Sequence, residues 1–348
     1  MIAAEPSNLA LFWACVIAVA ILVYVILDGF DLGIGILSGV AENETRRETM
    51  IATIAPFWDG NETWLIIIAA SLFGAFPMAY SVFLPAFYIP VLLMLFGLIF
   101  RGVAFEFRYR GARQFWDWGF FLGSVVAAFV QGAAVGAMIR GIPVVDGQYA
   151  GGPFIWLAPL PVLCGIGLVL GYALLGAGWL VMKGEGELRE WARQRIPWLA
   201  IAVLVVLALA FGAALLDRER IGTNLAGRRW GLVFPGLGLL AMAGVFLGVR
   251  RRYDGMPFLM TVVFFVASFL TLAALFWPYM IPYQVTVAAA AAPEKSLSFL
   301  FWGAGVIVLP VIAIYTAVVY WVFRGKLHQD NEVADSSNTR PTRVDGEA

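Results

Sequence analysis

Two carboxylates, Asp59 and Glu62, stand three residues apart in Pro56-Phe57-Trp58-Asp59-Gly60-Asn61-Glu62-Thr63-Trp64, with apolar-rich runs on both sides (Met50 to Ala55, Leu65 to Ala70). That spacing predicts one shared helix face. An ionisable side chain deep in a bilayer costs about 3 kcal/mol or more unless a partner or water receives it. Acids held there are suited to holding and passing protons. Asp28 and Asp31 repeat the spacing of three in an earlier apolar run, and Arg101 and Glu106 close a later one. Arg101 could keep one carboxylate ionised while a second acid, in drier surroundings, exchanges a proton. The plainer alternative is that Arg101 neutralises Asp59 or Glu106 and fastens helices together. Glu106 and Asp117 lie near span ends, where a solvated face is the simpler reading, and Gln131 suits helix–helix hydrogen bonding. Trp58 and Trp64 flank the acids as core or interface aromatics, or as walls for a quinone ring or haem edge.

The elements that must position these groups are membrane spans. The 348 residues are 61% hydrophobic and 13% charged, with mean hydropathy +0.85, against roughly 25% charged in soluble domains. The pattern predicts an all-α polytopic membrane protein with nine transmembrane helices: Leu9 to Leu37, Glu48 to Gly74, Pro77 to Arg101 or beyond, Trp116 to Ile139, Trp156 to Met182, Trp198 to Leu216, Trp230 to Val249, Phe258 to Trp277 and Phe299 to Phe323. The count depends on a break at Phe76-Pro77. On this reading Asp59 lies eleven residues into its helix, about 16 Å along it. The first run follows Asn8 without a basic leader or cleavage site and is expected to be retained.

Nine spans put Arg46, Arg47, Arg101, Arg108, Arg110, Arg113, Lys183, Arg189, Arg193, Arg195, Arg250, Arg251, Arg252, Arg324, Lys326, Arg340 and Arg343 on one side, and only Arg140, Arg218, Arg220, Arg228, Arg229 and Lys295 on the other. The positive-inside rule then predicts an outer N-terminus and a cytoplasmic C-terminus. All three polar-bearing helices bring their acids into the cytoplasmic half, which suggests a proton inlet.

The single histidine, His328, lies in the polar tail, and Cys15 and Cys164 stand alone in apolar runs. No span offers a histidine to a haem, zinc or copper, so axial ligands for any redox centre must come from another chain. A faint repeat, L-x4-LG-x-G-x-L, relates Leu27–Leu37 to Leu170–Leu180. It predicts two four-helix units (about 9–139 and 156–277), a ninth helix (about 299–323) completing a transmembrane domain over 1–323, and a disordered cytoplasmic tail over 324–348. Asp28 and Asp31 become Gly171 and Leu174 in the second copy, so the polar chemistry sits in the first half.

Four blocks, Asp28-Gly29-Phe30-Asp31-Leu32-Gly33-Ile34-Gly35, Trp58-Asp59-Gly60-Asn61-Glu62-Thr63-Trp64-Leu65, Arg101-Gly102-Val103-Ala104-Phe105-Glu106, and Trp116-Asp117-Trp118-Gly119 with Gly123-Ser124, closely resemble subunit II of the cytochrome bd quinol oxidases in order and spacing. Asn61-Glu62-Thr63-Trp64 resembles the branch containing the cyanide-insensitive oxidases. The resemblance implies a haem-free subunit paired with a haem-bearing subunit I, which carries two b-type haems (b558 and b595) and haem d. That complex oxidises quinol and passes four electrons to O2 to give water, drawing protons from the cytoplasm. It also implies a proton-path role for Asp59, with Trp58, Trp64 and Arg101 beside it. Glu106 stands where some members have aspartate. The resemblance leaves room for a bound quinone and a small single-helix subunit. The alternative from the residues alone is a proton-coupled transporter with an intramembrane carboxylate site. Its second half lacks matching polar residues, and co-purification with a haem-bearing partner would separate the two.

Overall fold

A bilayer leaves a spanning backbone no water to bond, so the apolar runs close their hydrogen bonds as helices. The computed structural model describes residues 5–216 and 229–326. The polar tail beyond residue 326, with His328, and the connection carrying Arg218, Arg220 and Arg228 lie outside the described residues. Helix α1 (Asn8–Ser38) starts where the Ser7 hydroxyl accepts from the Ala10 amide. It is followed by α2 (Glu44–Ala52), α3 (Trp58–Ala75), α4 (Pro77–Ala86), α5 (Tyr88–Phe107) and α6 (Arg113–Arg140). The second half holds α7 (Pro159–Lys183), α8 (Gly186–Leu216), α9 (Val233–Arg251) and α10 (Met256–Phe276). The short α11 (Val287–Ala290) and α12 (Glu294–Leu300) lead through a π-helical stretch at Phe301–Gly305 into α13 (Val308–Val322). Two small antiparallel hairpins, Val144–Val145 with Gln148–Tyr149 and Tyr279–Ile281 with Val285–Thr286, add β structure to an otherwise helical chain.

Eight described helical segments are long and apolar enough to cross a membrane. Helix α3, whose 18 residues begin with the polar Trp58–Glu62 turn, is not among them. Three expected spans are corrected. The span from Glu48 to Gly74 is interrupted between Ala52 and Trp58, where Pro56 has no amide to bond back and its ring clashes with the preceding turn. The span from Pro77 is likewise divided at Phe87, between Pro85 and Pro90. The sixth helix begins at Gly186, twelve residues before Trp198, because Leu188, Trp191, Ala192 and Ile196 bury an extra apolar face.

The two copies of the repeat meet each other. Helices α1 and α7 pack together, and a Cβ on Gly33 would overlap the Tyr172 carbonyl, while one on its counterpart Gly176 would stand 2.7 Å from the Gly33 carbonyl carbon. Backbones approach this closely only where side chains are absent. The next glycines make equivalent contacts one helix outward: Gly35 against Ser124 on α6, and Gly178 against Phe258 on α10. Phe30 and Trp179 stack beside this seam at 4.1 Å.

Candidate functional site

The close α1–α7 seam fixes the face of α1 that carries Asp28 and Asp31, and both side chains are fully buried. Helix α5 brings Arg101 to them, 1% exposed, and α3 brings Glu62, 25% exposed. Arg101 Nη1 donates to Asp28 Oδ1 at 3.1 Å and to Glu62 Oε1 at 2.9 Å, so one guanidinium joins three helices. Asp31 is paired differently. Asn61 Nδ2 donates to its Oδ2 at 2.7 Å and also to the Leu27 carbonyl. The Tyr320 hydroxyl, arriving on α13, donates to Asn61 Oδ1 at 3.1 Å. Asp28 Oδ2, Asp31 Oδ1, and Arg101 Nε and Nη2 are buried without a hydrogen-bond partner among the described residues. Their bonding capacity faces a site of three carboxyls and one guanidinium.

Not every expected residue joins this cluster. Asp59 is exposed, in the first turn of α3. The expectation that it lies some 16 Å into an unbroken span is corrected. The break at Pro56 makes Asp59 the second residue of its helix, and three residues advance a helix by about 300°, leaving neighbours about 60° apart. That offset turns Glu62 toward Arg101 and Asp59 outward. Glu106 is also exposed, near the end of α5. Trp58 rests on Phe105 of α5 at 5.2 Å, so Asp59 and Glu106 flank one contact between α3 and α5. Trp64 is buried among Ala20, Tyr24 and Ile67, its indole nitrogen without a hydrogen-bond partner among the described residues.

A second ionic network ties the ends of α2, α5 and α6. Arg108 donates to Asp117 Oδ1 and Glu44 Oε1, each at 2.8 Å. Arg47 reaches Glu44 at 2.8 Å and Asp117 at 3.3 Å. Arg113 pairs with Glu44 and Glu48. Asp117 is therefore a structural hub rather than a solvated face. At the same end of the bundle Glu42 receives Trp191 and Arg195 of α8, and Asp254 receives Arg189, Arg193 and Lys326. Lys183 Nζ donates to the Phe323 and Gly325 carbonyls, capping α13. At the opposite end the Trp13 indole donates to the Leu297 carbonyl.

Sequence reasoning missed Tyr320, Glu44, Arg47 and Arg108 as partners. A tyrosine near the end of an apolar helix reads as an interface residue, and nothing in one dimension links Tyr320 to Asn61. The charges of Arg47 and Arg108 were visible, but only packing selects their acids. The described residues contain no histidine, and no three His, Cys, Asp or Glu side chains among them are grouped to hold a metal ion.

Comparison with known proteins accords with this architecture. The family described as cytochrome bd terminal oxidase subunit II matches residues 9–323. Cytochrome bd-I ubiquinol oxidase subunit 2 of Escherichia coli (strain K12) is 30% identical over 367 residues, covering 93% of this chain and 96% of the relative. Cytochrome bd ubiquinol oxidase subunit 2 of Bacillus subtilis (strain 168) is 30% identical over 331 residues, covering 90% and 96%. The solved bd oxidase from Geobacillus thermodenitrificans shares the fold, with TM-score 0.72 at 16% identity over 91% of this chain and 99% of that one. An intramembrane arginine shared by acids of two spans, on a multi-pass helical scaffold matched along nearly its whole length, thus places the chain in the cytochrome bd terminal oxidase subunit II family, as a subunit of an oxidoreductase complex.

Proposed function

We propose that this chain is the haem-free subunit II of a quinol:O2 oxidoreductase, that it stabilises a haem-bearing subunit I, and that it supplies a proton path from the cytoplasm. The observation that carries the proposal is the bridge from Arg101 to Asp28 and Glu62, with Asp31 alongside. Three carboxyls face one guanidinium. If all ionised, the excess negative charge would be buried at a cost of several kcal/mol, so retaining a proton is the cheaper balance. Asp31, whose partner is the neutral Asn61 amide, is the natural seat for that proton. Glu62, the one partly exposed acid of the three, is the natural entrance. Reducing one O2 to two waters consumes four protons, and a cluster that holds one in reserve can pass it on as electrons arrive.

Asp59 and Glu106 fit this scheme as surface acids that the partner subunit covers. Exposed apolar residues such as Phe96 and Ile99 on α5 share that helix with Glu106, and α13 buries none of its residues within this chain. Trp58 and Trp64 fix the start and the core side of α3. The haems, a bound quinone and a small third subunit belong to the complex on this reading, with the N-terminus outside and the C-terminus cytoplasmic.

The test is Asp28→Asn and Glu62→Gln in the purified complex reconstituted into vesicles. Both are expected to lower O2 consumption about tenfold or more and to slow proton uptake, with haem content intact. Full turnover in both variants would remove the inlet and leave a structural ion pair.

A further inference from the structure

Arg101 serves only one oxygen of Asp28, and Oδ2 has no hydrogen-bond partner among the described residues. One helical turn earlier, on the same face of α1, Tyr24 is also buried. Its hydroxyl accepts from Gln131 Nε2 at 2.9 Å, and Gln131 Oε1 accepts from the Tyr172 hydroxyl at 2.9 Å. A phenol has one proton. Because Gln131 donates into the Tyr24 oxygen, the Tyr24 proton is left to point at Asp28. Donation therefore runs in one direction, from Tyr172 on α7 through Gln131 on α6 to Tyr24 on α1, whose own proton is left free for the acid.

Tyr24 lies about midway along α1, at the level where lipid offers no competing hydrogen bonds. Simple fastening of helices would need only Gln131 and one partner. A head-to-tail series ending on a carboxylate does more, since each donor polarises the next and the acid receives the sum. The amide sets a second property. Hydroxyls and carboxyls take a proton and give one back from the same oxygen-based group. A carboxamide accepts on oxygen and could release only from nitrogen, through a high-energy imidic acid. A proton reaching Asp28 can exchange with Tyr24 and stops at Gln131.

We infer that Tyr24 and Gln131, backed by Tyr172, are positioning residues. They hold the Asp28 carboxylate as a fixed proton acceptor and close the acid cluster toward the far half of the membrane. This inference rests on the proton-inlet reading above.

The test uses the purified oxidase complex carrying Tyr24→Phe, Gln131→Met, Tyr172→Phe and the Tyr24→Phe/Gln131→Met pair, with Asp28→Asn as reference. Turnover is measured across pH, and redox-induced infrared difference spectra are recorded in the carboxyl region, where Asp28→Asn identifies the Asp28 band. Tyr24→Phe is expected to lower turnover by about tenfold, the scale of one hydrogen bond to a charged group, and to displace that band. Gln131→Met should do the same more weakly and Tyr172→Phe least, while the pair should be no worse than Tyr24→Phe alone. Tyr24→Phe deletes one oxygen and no packing atoms, so it carries the test if Gln131→Met fails to assemble. An unmoved band, or losses of yield that rank without regard to distance from Asp28, would overturn the inference and return Gln131 to a fastening role. If Asp28→Asn slows turnover while Tyr24→Phe and Gln131→Met change neither rate nor band, the positioning role alone falls. If Asp28→Asn leaves turnover intact this inference falls, and the inlet falls with it if Glu62→Gln leaves turnover intact as well.

Discussion

Replacing Arg101 with Met removes the one cation of the buried cluster while keeping an unbranched side chain of similar length. Asp28, fully buried, would be left without its counter-charge, whereas Glu62, 25% exposed, can lean toward solvent. Breaking a buried pair by deleting one partner costs about 3–5 kcal/mol. Asp28 has a way to limit that cost by taking up a proton. At pH 7 this costs about 4 kcal/mol, at about 1.36 kcal/mol per pH unit above an ordinary aspartate value near 3.9. The two figures agree, so the variant is expected to fold with Asp28 neutral and to lose about 4 kcal/mol at pH 7. The sign with pH follows. A group that binds a proton in the folded state of the variant and not in the unfolded state stabilises the fold at low pH and loses that contribution as pH rises. At pH 5 the proton costs only about 1.5 kcal/mol, so the deficit relative to wild type should narrow by nearly 3 kcal/mol between pH 7 and pH 5. The assay is thermal inactivation of the purified complex, followed by retained haem absorbance, with wild type and Arg101→Met side by side from pH 5 to 8. A deficit that does not vary with pH would mean that Asp28 is not left as an uncompensated charge. No deficit at any pH would mean that the bridge does not contribute to holding the three helices.

Asp59→Asn is expected to slow O2 reduction with haem content nearly intact, and undiminished turnover would reduce Asp59 to a surface group. Gly33→Ala should abolish accumulation of the complex in membranes, because its Cβ meets the Tyr172 backbone rather than a movable side chain. Gly236→Ala, with nothing within 4 Å of the added carbon, serves as the tolerated control, and equal accumulation of the two would refute the close α1–α7 seam. Burial pushes the Asp254 carboxyl up, but the hydrogen bond from Lys326 and the charge of Arg189 outweigh it and hold it below its ordinary value. Its contribution is therefore present at neutral pH and lost as pH falls through that lowered value. Asp254→Asn should cost up to about 1 kcal/mol of thermal stability at pH 7, as expected for a partly exposed ion pair, with less effect in high salt. A salt-independent loss would point to packing instead.

The sequence by itself determined the class of molecule and the inventory of its chemistry. Charge is so costly in lipid that Asp28, Asp31, Glu62 and Arg101 stand out in one dimension, and the lack of a histidine in any span is a matter of composition alone. The repeat was also legible, since Gly33 and Gly176 occupy like places in their motifs. What only the tertiary structure decided is which groups meet. A spacing of three leaves about 60° between side chains, and the orientation of α3 after its break at Pro56 turned Glu62 inward and Asp59 outward. Tyr320 reaches Asn61 across 259 residues, and Tyr172 reaches Gln131 across 41. Such partners are set by the packing angle of one helix on another, to which distant side chains contribute together and which no local spacing records.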